Sequence, residues 1–377
     1  MNRQTRLHDA ALLRVRHLGV QFQTAQGPLH ALTDVSLDVE RARTLAIVGE
    51  SGSGKSVLAC SILRLLGPAA QTAPEAQIFF GAQDLLRLER SAMQAVRGRR
   101  IAMVFQDPMT ALNPVRPIGV QLAEGLQLHL RLSRQAAQAR ATGLLAQVGI
   151  GSPERRMAQL PHQLSGGMRQ RVVIAMAVAC EPELLIADEP TTALDVTVQA
   201  EILDLLRGLQ RGRQMAMILV THDLGVAAGY ADDIAVMYAG QIVEQAPTAA
   251  LLRQPRMPYT RDLLRAIARL DDPPHALLHS IAGRPPVVRA LAGGCRYAPR
   301  CDRRTMQCEA AQPGLESVAF AEGARWNTSA FGDGMSAFGR PGGAHGNTSA
   351  FGCGMSTFGR PGGAHAVRCW HPLEIAA

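Results

Sequence analysis

Apolar and polar positions alternate with two different periods along this chain. From residue 12 to about 105, short apolar runs separated by polar turns predict strands with one helix among them. From about 115 to 180 the apolar positions recur at helical spacing, including Arg134 to Val148, and from 181 to 245 strand and helix patterns alternate again. Thr44 to Val48 reads as a buried strand, and Lys55 to Leu66 as a helix with Val57, Leu58, Ile62, Leu65 and Leu66 as its apolar positions. Leu184-Leu185-Ile186-Ala187 is apolar without alternation, the pattern of a strand covered on both faces. Together these predict an α/β sheet with an inserted helical arm. After Gln245 the pattern gives way to proline-rich connections (Pro247, Pro255, Pro258, Pro273, Pro274, Pro285, Pro286), which marks a boundary and a smaller C-terminal region. No run of eighteen uncharged apolar residues occurs, so no bilayer-spanning segment is expected.

The chemistry sits at the joints of this pattern. Gly49-Glu50-Ser51-Gly52-Ser53-Gly54-Lys55-Ser56 fits the phosphate-loop spacing G-x-x-x-x-G-K-[ST] and lies between a predicted strand and a predicted helix, the context the motif requires. Its glycines let backbone N–H groups converge, and the helix adds its positive end, making an anion nest. Lys55 is placed to reach β and γ phosphates, and Ser56 to ligate Mg²⁺. The strand Leu184 to Ala187 ends in Asp188-Glu189-Pro190, where Asp188 can hold the Mg²⁺ shell and Glu189 can polarise an attacking water. Between these two motifs lies Leu164-Ser165-Gly166-Gly167-Met168, which opens the amphipathic helical run Met168 to Val178.

With these motifs in order, the chain resembles the nucleotide-binding subunit of an ATP-binding-cassette (ABC) transporter. Gln106 in Val104-Phe105-Gln106-Asp107-Pro108 resembles the family's Q-loop, Leu164 to Met168 its signature, Ala193-Leu194-Asp195 its D-loop, and His222 in Thr221-His222-Asp223 its switch histidine. Phrases between the motifs resemble the peptide/nickel importer branch: Phe105 to Pro114, Pro161 to Met176, Asp188 to Gln199 and Val236 to Glu244. Pro258-Tyr259-Thr260-Arg261 resembles that branch's H-P-Y-T stretch, with Met257 where the histidine usually stands.

The resemblance implies a P-loop NTPase of the ABC type, with a nucleotide-binding domain over 12–255, a helical subdomain at about 115–180 and a cysteine-containing C-terminal region over 256–377. It implies an ATPase with ATP and Mg²⁺ bound, in which two such domains meet head to tail. Each ATP then lies between the phosphate loop of one domain and Ser165, Gly166 and Gly167 of the other. Glu189 would be general base or water-positioner, His222 the γ-phosphate sensor, Gln106 the link from Mg²⁺ and water to the membrane partner, and Asp195 a residue of the dimer seam. Phe22 stands where the family stacks an aromatic on adenine, with a core phenylalanine on a strand as the alternative reading. The implied partners are two transmembrane permeases, a second ATPase chain and, through the permeases, an extracytoplasmic solute-binding protein. The expected location is the cytoplasmic face of the inner membrane, and the polar, basic Met1 to Arg16 carries no signal-peptide core.

Composition modifies this picture little. The formal charge is +8, which suits a protein under an anionic leaflet as well as a nucleic-acid binder. The arginines are scattered, as in Arg97-Gly98-Arg99-Arg100, and no basic tract is interleaved with aromatics, so nucleic acid is not an expected partner. The competing function is a soluble ABC-type ATPase acting on nucleic acid or ribosomes. Such proteins carry a second cassette, a long coiled coil or inserted zinc modules, and none is visible here.

Cys60 and Cys180 fall in apolar helical contexts and read as core thiols. Cys295, Cys301, Cys308 and Cys369, separated by six, seven and sixty-one positions, form a second cluster. In a reducing compartment such a group reads as metal-binding before disulfide. The peptide-importer resemblance associates these cysteines with a [4Fe–4S] cluster, while zinc and unligated thiols stay open as alternatives. Trp326 to His345 and Gly346 to His365 are near-copies displaced by twenty positions, a glycine-rich duplication over 326–365 that lengthens the connection between the third and fourth cysteines. Within it Cys353 reads as a drifted repeat position, and His345 and His365 as weak ligand candidates.

Overall fold

The computed structural model describes residues 11–192, 194–267, 279–289, 293–318 and 365–373. The chain opens with β1 (Ala11–Thr24) and β2 (Gly27–Glu40), a long antiparallel hairpin, followed by β3 (Thr44–Val48) and α1 (Lys55–Ile62). Three short strands, β4 (Ala70–Thr72), β5 (Gln77–Phe80) and β6 (Gln83–Asp84), return to β1 and complete a five-stranded antiparallel sheet, with order β2-β1-β5-β6 and β4 beside β1. After α2 (Arg90–Val96) and β7 (Ile101–Val104) the chain leaves the sheets for α3 (Pro108–Ala111), α4 (Ile118–Leu130), α5 (Arg134–Gln147), α6 (Pro153–Met157) and α7 (Gly166–Val178). It then returns as β8 (Leu184–Asp188), α8 (Val196–Arg213), β9 (Ala216–Thr221), α9 (Leu224–Tyr230), β10 (Asp233–Tyr238) and β11 (Gln241–Pro247). The chain continues with α10 (Thr248–Arg253), and the C-terminal region supplies α11 (Pro258–Arg265), α12 (Met306–Ala310), β12 (Glu316–Val318) and β13 (His365–Val367).

The second sheet has the order β12-β13-β11-β10-β3-β9-β8-β7 among the described residues, and β10, β3, β9, β8 and β7 are parallel. Every residue of β3, β8 and β9 is buried, because both faces of the sheet are covered. Alternate side chains therefore enter different cores. Ile47, Ile186, Ile218 and Val220 pack under the antiparallel sheet with Leu58 and Ile62 of α1, whereas Ala187, Met217 and Leu219 meet Leu122, Leu145 and Val172 of the helical arm. Ala46, Val48 and Val236 join a third core with Tyr238, Tyr259 and Tyr297. The α/β sheet and helical arm agree with the pattern of the sequence. The C-terminal region does not stand apart, since β13 pairs with β11 at Glu244 and Gln245 and so continues the second sheet.

Helix α1 ends four residues before the expected Leu66. Arg64 takes a left-handed φ of 51°, and the Leu65 N–H donates to the Cys60 carbonyl at 2.9 Å, a Schellman-type stop that closes the helix ahead of Gly67 and Pro68. Helix α7 starts two residues earlier than its apolar run, because the Ser165 hydroxyl oxygen accepts from the Met168 N–H at 3.3 Å and caps it at Gly166.

Candidate nucleotide site

Strand β3 delivers the chain into residues 49–54, and α1 takes it away from them. Gly49 has φ 152°, and a Cβ there would stand 2.1 Å from the Met237 carbonyl oxygen, so the turn out of the strand is possible only without a side chain. The Ser53 carbonyl accepts from the Gly240 N–H at 2.9 Å, and the buried Ser53 hydroxyl has no hydrogen-bond partner among the described residues. Lys55, the chain's sole lysine, donates to the Gly49 and Glu50 carbonyls at 2.8 and 3.0 Å. Burial pulls its pKa below the ordinary lysine range, against the opposing pull of the Glu189, Asp188 and Glu50 carboxylates.

The end of β8, separated from β3 by β9, brings the acidic pair to this loop. Asp188, buried at the end of β8, accepts from the Ser56 hydroxyl at 3.1 Å. Burial raises its pKa above the ordinary carboxylate value, and Glu189 adds to the rise while Ser56 and Lys55 oppose it. A buried carboxylate beside a hydroxyl, with its negative charge disfavoured, is a donor set that a divalent cation fits. Glu189 takes the left-handed φ of 44°, a strained conformation for a side chain this size, held by its N–H donating to the Val220 carbonyl at 2.9 Å. The strain aims its carboxylate across the sheet. Oε2 accepts from the Gln106 amide at 3.0 Å and the Thr192 hydroxyl at 3.1 Å, and Oε1 lies 3.5 Å from His222 Nδ1. Glu189 is 16% exposed and His222 65%, so a nearly enclosed carboxylate faces a histidine open to solvent. Asp223, beside that histidine, caps α9 by accepting from Gly225 and Val226. Thr192 was not among the expected site residues, although it lies in the acidic phrase after β8.

The signature residues lie elsewhere on the chain's surface. Ser165 and Gly166 are exposed at the start of α7, and a Cβ at Gly167 would stand 2.9 Å from Val198 Cγ1 of α8. Glycine at 167 thus lets the two helices approach. Asp195 caps α8, accepting from the Val198 N–H at 3.0 Å, while Ala193, two positions before it, lies outside the described residues. Phe22 is half-buried on β1 and packs against the first core, leaving part of the ring accessible.

The cysteine group is assembled differently. Cys295, Cys301, Cys308 and Cys369 are all free thiols, and the Cys295 N–H donates to the Cys308 carbonyl at 2.7 Å. Burial raises the pKa of Cys295 and Cys301, and burial together with the neighbouring Cys295, Cys301 and Cys308 pushes Cys369 up to about 11. Yet among the described residues no three His, Cys, Asp or Glu side chains are disposed to hold a metal ion. As placed, these thiols do not gather around a single zinc ion. Cys353, His345 and the duplication up to residue 364 lie outside the described residues. His365 is no free ligand, since its Nε2 is 2.6 Å from Glu244 Oε1 in a buried pair. Met257, in place of the usual histidine, is buried, and its N–H donates to Glu244 Oε2 at 3.1 Å.

Residues 32–192 match the family described as ABC transporter, and residues 243–308 match the oligopeptide/dipeptide transporter C-terminal region. The dipeptide transport ATP-binding protein DppD of Bacillus subtilis is 48% identical over 303 residues, covering 80% of this chain and 90% of that protein. The chain belongs to the ABC transporter family, in its peptide-transport branch. The oligopeptide transport ATP-binding protein OppD of the same organism is 50% identical over 289 residues, 77% of this chain and 81% of that one. Among solved structures, the dimeric ABC cassette MJ0796 superposes with a TM-score of 0.56 at 27% identity, covering 63% of this chain and 98% of that one. The same cassette is also known as a post-hydrolysis dimer bound to ADP and Pi, with the same TM-score, identity and coverage. As an ABC family member the chain is an ATPase, and no helix among the described residues is long and apolar enough to cross a membrane.

Proposed function

We propose that this chain is the ATP-hydrolysing subunit that energises import of dipeptides, oligopeptides or a related solute such as nickel through an ABC permease. The observation that carries the ATPase half is the Glu189 carboxylate, held between Gln106, Thr192 and His222 one residue beyond the Ser56–Asp188 contact. The peptide half draws on the match over residues 243–308 and on relatives named for dipeptide and oligopeptide transport.

The residues divide the work by position. Lys55 and the amides of Gly49, Ser51, Gly52, Ser53 and Gly54 neutralise and orient phosphate oxygens, with Glu50 shaping the loop between them, and Phe22 offers a ring face for adenine. Ser56 and Asp188 would hold Mg²⁺, which when bound supplies charge neutralisation at the phosphates, and Gln106, bonded to Glu189, would join that shell. Glu189 accepts a proton from, or orients, the attacking water, with Gln106 and His222 fixing its direction. Ser165, Gly166 and Gly167 present the start of α7 to a nucleotide on a second ATPase chain, and Asp195 lies along the seam between them. Two permeases and an extracytoplasmic binding protein complete the assembly, and the ATPase sits on the cytoplasmic face. The cysteines are assigned no step. Iron, labile sulfide and zinc analysis of anaerobically purified protein decides whether they carry a [4Fe–4S] cluster, zinc or free thiols.

The test is to tag the chain, solubilise membranes with ATP present and identify what co-purifies by mass spectrometry. Two permeases and a second ATPase are expected, and hydrolysis by that complex should rise when the cognate binding protein is loaded with peptide. Ribosomes or DNA-associated proteins without permeases would overturn the assignment in favour of a soluble ATPase.

A further inference from the structure

Glu50 occupies a position of the phosphate loop where the motif specifies no residue type, yet it is the most heavily engaged residue of that loop. Its carboxylate receives a two-pronged ion pair from Arg300, with Nη1 to Oε2 at 2.7 Å and Nη2 to Oε1 at 2.9 Å. Its N–H donates to the Tyr259 hydroxyl at 3.0 Å, and its carbonyl accepts from Lys55. Side chain, amide and carbonyl are thus all held, and two of the three grips come from the C-terminal region.

Arg300 is built for this task. Its side chain is 5% exposed, Nε donates to the Ala282 carbonyl at 2.8 Å, and the guanidinium lies 5.7 Å from the Tyr238 ring centroid. The Glu50 bond, foremost among the causes, raises its pKa above the ordinary arginine value. Tyr238, Tyr259 and Tyr297 pack with centroids 4.6 to 5.2 Å apart, and Tyr297 donates to Asp262 at 2.6 Å, so the frame beneath the pair is rigid. A planar fork on a carboxylate fixes direction as well as distance, which an ammonium would not do.

We propose that Arg300 is a positioning residue of the nucleotide site: through Glu50 it holds the phosphate loop in its anion-ready shape and masks a carboxylate that would otherwise repel phosphate. The C-terminal region thereby sets nucleotide affinity from outside the strands that carry the site. The inference rests on residues 49–56 being the ATP site. If only a fraction of loops is competent, apparent affinity falls by that fraction, so releasing Glu50 weakens binding without touching a phosphate contact.

The experiment titrates the full-length chain with a fluorescent ATP analogue and follows acylation of Lys55, located by peptide mass spectrometry, with and without ATP. Arg300→Gln should weaken nucleotide binding about tenfold, equivalent to ~1.4 kcal/mol. ATP should then protect Lys55 only at correspondingly higher concentration. Arg300→Lys should fall between, and the Arg300→Gln/Glu50→Gln double variant should bind no more weakly than Arg300→Gln, because the unmasked charge is gone. Wild-type affinity in Arg300→Gln, or a double variant whose loss is the product of the two single losses, overturns the proposal. Where Arg300→Gln does not fold, Glu50→Gln decides alone: weakened binding supports the proposal and unchanged binding overturns it. Lys55→Ala separates the underlying assumption, since undiminished ATP binding there would mean that residues 49–56 are not the site at all.

Discussion

The phosphate loop rests on two supports of different kinds. On the sheet side it is set by packing and main chain: β3 is buried throughout, Gly49 lies against the Met237 carbonyl, and Leu58 and Ile62 of α1 enter the core. On the C-terminal side it is set by polar side chains, the Tyr259 hydroxyl and the Arg300 fork, reaching across 209 and 250 positions of sequence. The first support comes from the cassette's own motif and its flanking strand and helix. The second depends on single polar contacts, whose strength one substitution can change. A loop built this way can keep its chemistry fixed while its affinity for nucleotide is adjusted from a distant region.

The sharpest way to break the first support is Gly49→Ala. A methyl group 2.1 Å from the Met237 carbonyl, at φ 152°, cannot be accommodated without moving the strand end. Loss of ~4 kcal/mol of stability is expected, with nucleotide binding abolished, measurable by denaturant unfolding with and without ATP.

The second support is tested next at its attachment to the sheet. Glu244 is 0% exposed and accepts from the Arg256 and Met257 N–H groups as well as pairing with His365. Removing one partner of a buried pair leaves the others unsatisfied, so Glu244→Ala should cost about 3 kcal/mol. Because Glu244 joins β11 to both α11 and β13, nucleotide affinity should fall with it. Unchanged affinity in the folded variant would show that the C-terminal region and the loop are independent.

A smaller effect follows from pH. Cys369 is raised to about 11 from an ordinary thiol value of 9.0, so between those limits the unfolded chain ionises while the folded one stays protonated. The folded state then binds the extra proton, and stability falls as pH rises by at most ~1.4 kcal/mol per unit. Cys369→Ser should flatten that part of the stability curve in metal-free protein, and an unchanged slope would place the titration elsewhere.

Much of the first support was legible in the sequence because its signals are local. The strand Thr44 to Val48 has the bounds expected, and the apolar run before Asp188 is a central parallel strand. The end of α1 was missed because its stop is made by a left-handed Arg64, which no glycine announces. The second support was mostly illegible. Tyr259 stood in a recognised stretch, but a tyrosine and an arginine meeting one loop residue from two distant segments leave no periodicity. Strands β12 and β13, three residues each, are too short for an alternating pattern to show. The four cysteines carried an expectation of a metal site through their clustering and the family resemblance, and the sequence could not show how their thiols are disposed, because that is a property of tertiary geometry.

The central claim is that this chain hydrolyses ATP with Glu189 as the residue that directs the water. The most direct test is steady-state ATP hydrolysis by the complex purified through a tag on this chain, comparing wild type with Glu189→Gln at saturating ATP and Mg²⁺. General-base catalysis contributes ~100-fold or more, so the variant should bind ATP at wild-type affinity and lose at least that factor in turnover. Turnover equal to wild type would contradict the account.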